Sequence, residues 1–268
     1  YYPSDLHVTG AMMVEAQRPT VFVAAVPPMD PDGTYCVSTS LQWESECAAA
    51  ADRIILEVNP AIPHTDSSLR IPRERVACAY EVHDPLLVLR YTGEITPEEA
   101  AIGSYVSELI HDGDCVQFGL GGTPGAVAAA LTGKHDLGIH TEMLGNAMIN
   151  LIRSGAVTNR QKTLHPGKTV CAFFLGVEDA VDFLENTPDV MFRPAAYTNH
   201  PATIARNENM VSVNTALQVD LLGQVCSESI GSRQYSGTGG AMDFAYGAHN
   251  APNGRSIIAS NATAKGGS

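Results

Sequence analysis

The sequence predicts an α/β protein of two units, residues 1–93 and 94–268, each a mostly parallel sheet covered by helices. Three observations predict it. Strand-like and helix-like segments alternate in both halves, the rhythm of βαβ units. A polar stretch rich in turn residues, Thr92-Gly93-Glu94-Ile95-Thr96-Pro97-Glu98-Glu99, interrupts the alternation. The chain of 268 residues is 44% apolar, enough for a sizeable core.

In the first half, Val21 to Val26 reads as a buried strand, Leu41 to Arg53 as an Ala-rich helix, Ile54 to Val58 as the next strand and Val76 to Val82 as another. In the second half Thr96 as N-cap, Pro97 at the first helical position and Glu99 at the third open a helix running to about His111, with Gly113 beyond it. Cys115 to Leu120 is a strand, followed by a glycine turn and a helix over Ala126 to Leu131 that stops at Gly133. Leu137 to His140 is a strand and Ala147 to Arg153 a helix. Val170 to Leu175, Val177 to Leu184 and Asp189 to Phe192 follow as strand, helix and short strand. After Met210 the pattern is strand-rich, punctuated by Gly223 and Gly231, and the tail from Ala264 to Ser268 is flexible in composition.

A net charge of −13 argues against nucleic acid and against an anionic membrane surface, both of which need Lys and Arg. It leaves room for a phosphate-bearing ligand held by backbone N–H groups. No window is long and apolar enough for a transmembrane helix, and no signal peptide is visible. The chain opens on Tyr1-Tyr2-Pro3 without Met, so its true start is expected to lie further upstream. The six Cys are scattered, without C-x-x-C or zinc spacing, and read as buried free thiols in a reducing cytoplasm.

Three segments carry chemistry. Gly119-Leu120-Gly121-Gly122-Thr123-Pro124-Gly125 follows a strand and opens a helix, the architecture of a phosphate-binding loop. Pro124 takes the place of the third Gly of a dinucleotide fingerprint, and Gly133-Lys134-His135 is no Walker loop; by itself the turn is equally a structural one. Ser236-Gly237-Thr238-Gly239-Gly240 is a second bare turn. Leu137-Gly138-Ile139-His140-Thr141-Glu142-Met143 sets one carboxylate after a short apolar run. His140 and Glu142 share a strand face, a conceivable metal pair without a third ligand nearby, so no metal is expected. Glu142 by itself is either a solvated group or a nucleophile. No G-x-S-x-G elbow occurs, which argues against a serine hydrolase. Asp30 and Asp32 around Pro31 suggest a turn rather than a calcium loop. Asn59 before Pro60 stands at a strand tip, the usual rim of a ligand crevice.

With these residues assembled, the chain resembles the class I CoA-transferases of the acetyl-CoA hydrolase/transferase family, on the side of the 4-hydroxybutyrate and butyryl-CoA:acetate enzymes. The resemblance runs through Pro27 to Tyr35, Glu57-Val58-Asn59, Asp112-Gly113, Gln117 to Gly122, Leu137 to Met143 and Tyr197-Thr198-Asn199-His200-Pro201. It continues through Val213 to Leu221, Gly223-Gln224-Val225, Ser227 to Gly231 and Ser236 to Phe244. It implies two open α/β/α CoA-transferase domains, both incomplete here because relatives extend beyond the chain at each end. It makes Glu142 the nucleophile and puts Gln117 beside the reacting thioester. It assigns coenzyme A to Gly119, Leu120, Gly121, Gly122, Thr123, Leu217, Gly237, Gly239 and Gly240, and substrate contacts to Asn59 and His140. Relatives often carry Ser-Asp-Gly after Glu-Met, where this chain has Leu144-Gly145-Asn146.

The expected activity is transfer of CoA between short-chain carboxylic acids through an acyl-glutamyl anhydride and a glutamyl-CoA thioester, with Gln117 and the loop N–H groups as oxyanion donors. His140 is expected to orient or pack rather than act as a base. The alternatives are an acyl-CoA hydrolase, with water as acceptor, or a partial chain that binds CoA without turnover. Partners are small acyl-CoA and carboxylate molecules, and a homodimer or homotetramer, since relatives are homo-oligomers.

Overall fold

The computed structural model describes residues 2–87, 94–176 and 178–263. The tail from Ala264 lies outside them, as do Thr92 and Gly93 of the break between the two expected units. Helix α1 (Leu6–Gln17) leads into β1 (Val21–Val26), β2 (Thr34–Cys36), α2 (Glu44–Ala50) and β3 (Arg53–Val58). The short strands β4 (Asp66–Ser67) and β5 (Arg70–Pro72) precede β6 (Val76–Glu81). Strands β1, β3 and β6 form a three-stranded parallel sheet. The expected helix over Leu41 to Arg53 is confined to α2, because Leu41 accepts from the Ala195 N–H and donates to Ala172 O instead of to a helical turn. The sequence reading had no α1.

The second half opens with α3 (Pro97–Glu108), whose capping box is complete: Thr96 Oγ1 accepts from the Glu99 N–H, and the Glu99 carboxylate accepts from the Thr96 N–H. Then come β7 (Cys115–Phe118), α4 (Gly122–Ala130), β8 (Gly138–Gly145), α5 (Asn146–Arg153), β9 (Thr169–Leu175), α6 (Glu178–Glu185) and β10 (Val190–Phe192). Two single-turn helices, α7 (Ala195–Thr198) and α8 (Pro201–Ile204), lead to β11 (Met210–Asn214). The strand-rich stretch expected after Met210 resolves into two hairpins, β12 (Gln218–Val219) with β13 (Val225–Cys226) and β14 (Ser229–Ile230) with β15 (Arg233–Gln234). A helix that the reading missed, α9 (Ala241–Asn250), and strand β16 (Arg255–Ile258) follow.

Seven strands form one parallel sheet in the order β16-β11-β7-β8-β9-β10-β4. Parallel strands covered on both faces read as near-continuous apolar runs, as Val170-Cys171-Ala172 does and as Met210 to Val213 does but for the buried Ser212. Chain order reverses at β7, which places the turn after β7 and the far end of β8 where such sheets open a crevice. Strand β4, from the first half, completes the sheet beside β10, and Arg193 binds it further through the Asp66 carbonyl and carboxylate. One core cluster runs from Phe22 and Leu56 through Val127, Ile139 and Leu144 to Phe192 and Val213. Among the described residues no helix is long and apolar enough to cross a membrane.

Helix α3 fixes α4, and with it the glycine turn, by close contact. A Cβ at Gly103 would lie 2.7 Å from the Ala126 carbonyl oxygen, inside contact distance of backbone. Gly103→Ala is expected to lower unfolding free energy by about 1–3 kcal/mol, read as a reduced urea midpoint at unchanged slope.

Candidate active site

Strand β8 runs past the expected end at His140 to Gly145, so Glu142 is a mid-strand residue and not one beyond the strand. Its pairing explains why it is accessible. Strand β7 pairs with β8 only at Gly138 and Ile139, whereas β9 follows β8 as far as Gly145. Beyond Ile139 the β7 side of β8 is therefore open, and Glu142 is half-buried there.

Asn199, at the C-cap of α7, donates its Nδ2–H to Glu142 Oε2 at 2.6 Å. On another side stands Gly240, the N-cap of α9. A Cβ on Gly240 would overlap both Glu142 Oε2 and Asn199 Nδ2, so only glycine admits the pair. Asp243, in the first turn of α9, is buried. Burial pushes the Glu142 carboxyl up to about 7; the Asn199 hydrogen bond pulls the other way, and the negative charge of Asp243 adds to the rise. Burial likewise raises Asp243, opposed by His7, whose Nδ1–H donates to Asp243 Oδ1 at 2.7 Å.

His140, to which the resemblance gave a substrate contact, stands inside the fold as a support. It is fully buried and its Nε2–H donates to the Thr198 carbonyl at 2.8 Å. Burial, and next the charge of Lys162, push it down to about 3, so it is neutral. It ties β8 to the residue before Asn199. Lys162, also buried, donates to the Ile139 and Lys168 carbonyls and lines the base of the same strand.

Gln117 is buried in a reciprocal amide pair: its Nε2 donates to Asn214 Oδ1 and the Asn214 Nδ2 donates back, each at 3.1 Å. The two face each other across neighbouring strands β7 and β11. Asn59 is held locally, donating to the Asp84 carbonyl at 2.9 Å and accepting from the Ala61 N–H at 3.0 Å. Both side chains are thereby committed to the scaffold.

The glycine turn has the expected form. Gly121 has φ 126° and caps α4, and Gly119 donates its N–H to the Val213 carbonyl. With Phe118, Leu120, Pro124, Met143 and Met148 these glycines line a cavity of about 430 Å³. Thr123 is buried behind it. The carboxylate of Glu99 occupies the space a Gly122 side chain would need, so an acid, not a cation, stands at this helix start. Gly237 and Gly239 belong to the exposed turn before α9, Gly239 with φ 59°, and Leu217 lies at the exposed entry to β12.

Among the described residues one group has atoms spaced for a cation, Asp5, His7 and Asp243, whose ligand atoms lie within 4.8 Å; there His7 and Asp243 already hydrogen-bond to each other. Cys115, Cys171 and Cys36 are buried free thiols as expected, whereas Cys78 is exposed.

The site residues that sequence reasoning missed are Asn199 and Asp243. Both lie inside segments that carried the resemblance, but neither has a local signal such as spacing to Glu142. The stability consequence of the raised Glu142 has a definite sign. Below the ordinary value of 4.5 the carboxyl is protonated in both folded and unfolded chains. As pH rises from 4.5 to about 7 the unfolded chain loses that proton first, so stability falls across this window. Glu142→Gln, which cannot ionise, is expected to match the parent protein at pH 4.5 and to exceed it at pH 8 by on the order of 3 kcal/mol in chemical denaturation.

The family model for the acetyl-CoA hydrolase/transferase C-terminal domain matches residues 176–268. A succinyl-CoA:cyclohexane-1-carboxylate CoA transferase from Geobacter metallireducens is 41% identical over 267 residues, covering 100% of this chain and 61% of its own. A 4-hydroxybutyrate coenzyme A transferase from Clostridium kluyveri is 39% identical over 266 residues, 98% of this chain and 62% of its own. The crystal structure of RipA from Yersinia pestis superposes with a TM-score of 0.95 at 37% identity, over 100% of this chain and 61% of RipA. The chain thus spans about three fifths of the length of the curated relatives it matches. Residues 176–268 match the family's C-terminal domain, and in sequence along its length and in fold the chain is similar to CoA-transferases of the acetyl-CoA hydrolase/transferase family.

Proposed function

We propose that this chain carries the reacting carboxylate of an acyl-CoA:carboxylate CoA-transferase for small organic acids, acting by a ping-pong route through Glu142. The observation that carries the reading is the setting of Glu142: a half-buried acid with one amide donor on Oε2, against a helix start that lacks a side chain. An acid stripped of water and raised to about 7 is a stronger nucleophile than an exposed carboxylate.

Ionised Glu142 attacks the thioester carbonyl carbon. The new C–O bond forms, the C–S bond breaks, and the thiolate leaves with its electron pair, giving an acyl-glutamyl anhydride. The glutamyl carbonyl carbon then takes up the thiolate, the bond to the bridging oxygen breaks, and the first acid departs as its carboxylate. What remains on Glu142 is a thioester. A second carboxylate reverses both steps and restores the free acid. No proton changes hands, so no general base is needed.

Addition of the thiolate to the glutamyl carbonyl puts negative charge on a Glu142 oxygen, and Asn199 Nδ2 already touches Glu142 Oε2 at 2.6 Å. This gives Asn199 the donor role expected of Gln117, whose amide is tied to Asn214. The cavity of about 430 Å³ beside Met143 is rich in apolar side chains and bare backbone and has Glu99 at its helix start. It suits the uncharged arm of the thioester better than its phosphates. Binding energy from that arm, remote from the sulfur, lowers the chemical barrier once the thioester is seated. The acids transferred are left to the pocket at Gly145 and Asn146; relatives named for succinyl-CoA:cyclohexane-1-carboxylate and 4-hydroxybutyrate transfer support small aliphatic and alicyclic acids. An assembly of identical subunits is part of the same proposal.

The test uses the intact protein with an acyl-CoA, then borohydride and peptide mass mapping. An adduct confined to the peptide with Glu142, and absent from Glu142→Ala, is expected; an adduct on another residue, or turnover in Glu142→Ala, overturns the reading. Formation of a new acyl-CoA on addition of an acceptor acid, without free CoA, marks a transferase, and free CoA released in the absence of an acceptor marks a hydrolase. Asn199→Ala is expected to lose about 100-fold in kcat with a small change in KM. In the parent protein kcat/KM should fall tenfold per pH unit below about 7, as Glu142 takes up its proton.

A further inference from the structure

Behind Glu142 lies a second carboxylate that the proposed chemistry does not use. Asp243 is 2% exposed and stands three positions after Gly240, in the first turn of the helix that abuts Glu142. The charge of Asp243 reaches Glu142 and adds to the rise of its carboxyl, as buried acids that share a site favour protonation of one another. A protonated Glu142 cannot attack. Some group must therefore balance Asp243 while leaving Glu142 free.

His7 answers that description. It comes from the other end of the chain, in the first turn of α1. It reaches both oxygens of Asp243, Nδ1–H to Oδ1 at 2.7 Å and the backbone N–H to Oδ2 at 3.3 Å. Among the described residues it is the one ion-pairing partner Asp243 has. The His7 ring also meets the edge of His200 at 5.1 Å between centroids. His200 directly follows Asn199 and caps α8, its Nδ1 accepting from the Ala202 N–H at 3.1 Å. One imidazole thus touches both elements that flank Glu142, the start of α9 and the junction of α7 and α8.

We propose that His7 is a positioning residue for Glu142: by gripping Asp243 it seats the first turn of α9 against the reactive acid and balances the charge that Asp243 presents to it. The inference rests on the reading of Glu142 as nucleophile. The titratable groups around the pair are Asp5 and His7 from the start of α1, Glu142 and His140 from β8, His200 before α8, and Asp243 itself. His140 is neutral and adds no charge, and Asp5 adds to the negative side. His7 is therefore set against several acids in one place.

The proposal separates from a purely structural role by direction. Removing the charge of Asp243 should ease ionisation of Glu142, and removing its partner should hinder it. In the intact protein, Asp243→Asn is expected to move the acid limb of kcat/KM down by about one pH unit, and His7→Gln to move the last proton-loss step up by about the same. At pH 6 the His7→Gln protein should then be about tenfold slower than the parent, with a much smaller deficit on the alkaline plateau. The double variant should follow Asp243→Asn. Infrared titration of the protonated carboxyl band, assigned by subtracting Glu142→Ala, reads the same shifts without turnover.

Limbs that stay in place, shift in the same direction, or drop evenly at every pH would overturn the proposal and leave His7 a packing residue. Activity lost to a chelator in the parent but not in His7→Gln would overturn it in favour of a cation held by Asp5, His7 and Asp243. Turnover in Glu142→Ala would instead overturn the nucleophile assignment, a result the other variants do not mimic.

Discussion

The architecture turns on one tight contact: a carboxylate, an amide and a residue without a side chain meeting at the open edge of β8. Glu142 Oε2 accepts from Asn199 and fills the space that any Cβ on Gly240 would claim. The contact holds the acid against Asn199 on one side and the start of α9 on another. It also keeps water sparse, which is why the proton is held so tightly on this group. A reactive acid in a solvated loop would be both floppy and weakly basic. Mounting it on a strand inside a parallel sheet gives it a rigid base, and withdrawal of β7 beyond Ile139 gives it an opening.

The support beneath this contact is drawn from distant parts of the chain. His140 on the same strand anchors the carbonyl of Thr198 and so aims Asn199. Lys162 caps the Ile139 carbonyl that β7 leaves behind. Asp243, in the first turn of α9, is held by His7, 236 positions away in sequence. No local segment contains the site. It exists only when β7 to β11, both short helices after β10, and the two ends of the described chain are in place. Such long-range closure is slow to form and, once formed, is stabilised mainly by the apolar core under the sheet.

Much of this fold is legible in the sequence, for stated physical reasons. The apolar run at Val170 to Ala172 lies in a strand covered on both faces, whereas Val21 to Val26, expected as a buried strand, alternates, with Val21 and Val23 exposed and Phe22 and Val26 buried. Thr96, Pro97 and Glu99 announce α3 through cap chemistry that is local by nature. What escapes reading is what tertiary contacts decide. Helix α1 has no polar and apolar faces to recognise, and α9 follows glycines that look like a turn. Glu142 was legible as a residue of interest, yet its position mid-strand was not, because Leu144 and Gly145 extend β8 by pairing with β9 alone. Gln117 and Asn59 illustrate the converse. Their types and places suit a site, but amide groups are as readily consumed by Asn214 or by nearby backbone. Whether an amide is donor to a ligand or mortar for the scaffold is settled by its partner, which spacing along the chain does not encode.

Strand β4 carries a last consequence. Two residues, Asp66 and Ser67, taken from the first half, form one rim of the sheet that bears Glu142, and Arg193 clasps them from the second. The halves therefore do not behave as interchangeable cassettes. A chimera that joined the first half of one relative to the second half of another would inherit a mismatched hem, with the backbone groups of β10 searching for a new neighbour. Divergence in this family is for that reason expected to be coordinated across the junction at these rim positions, even where the surrounding surface drifts freely.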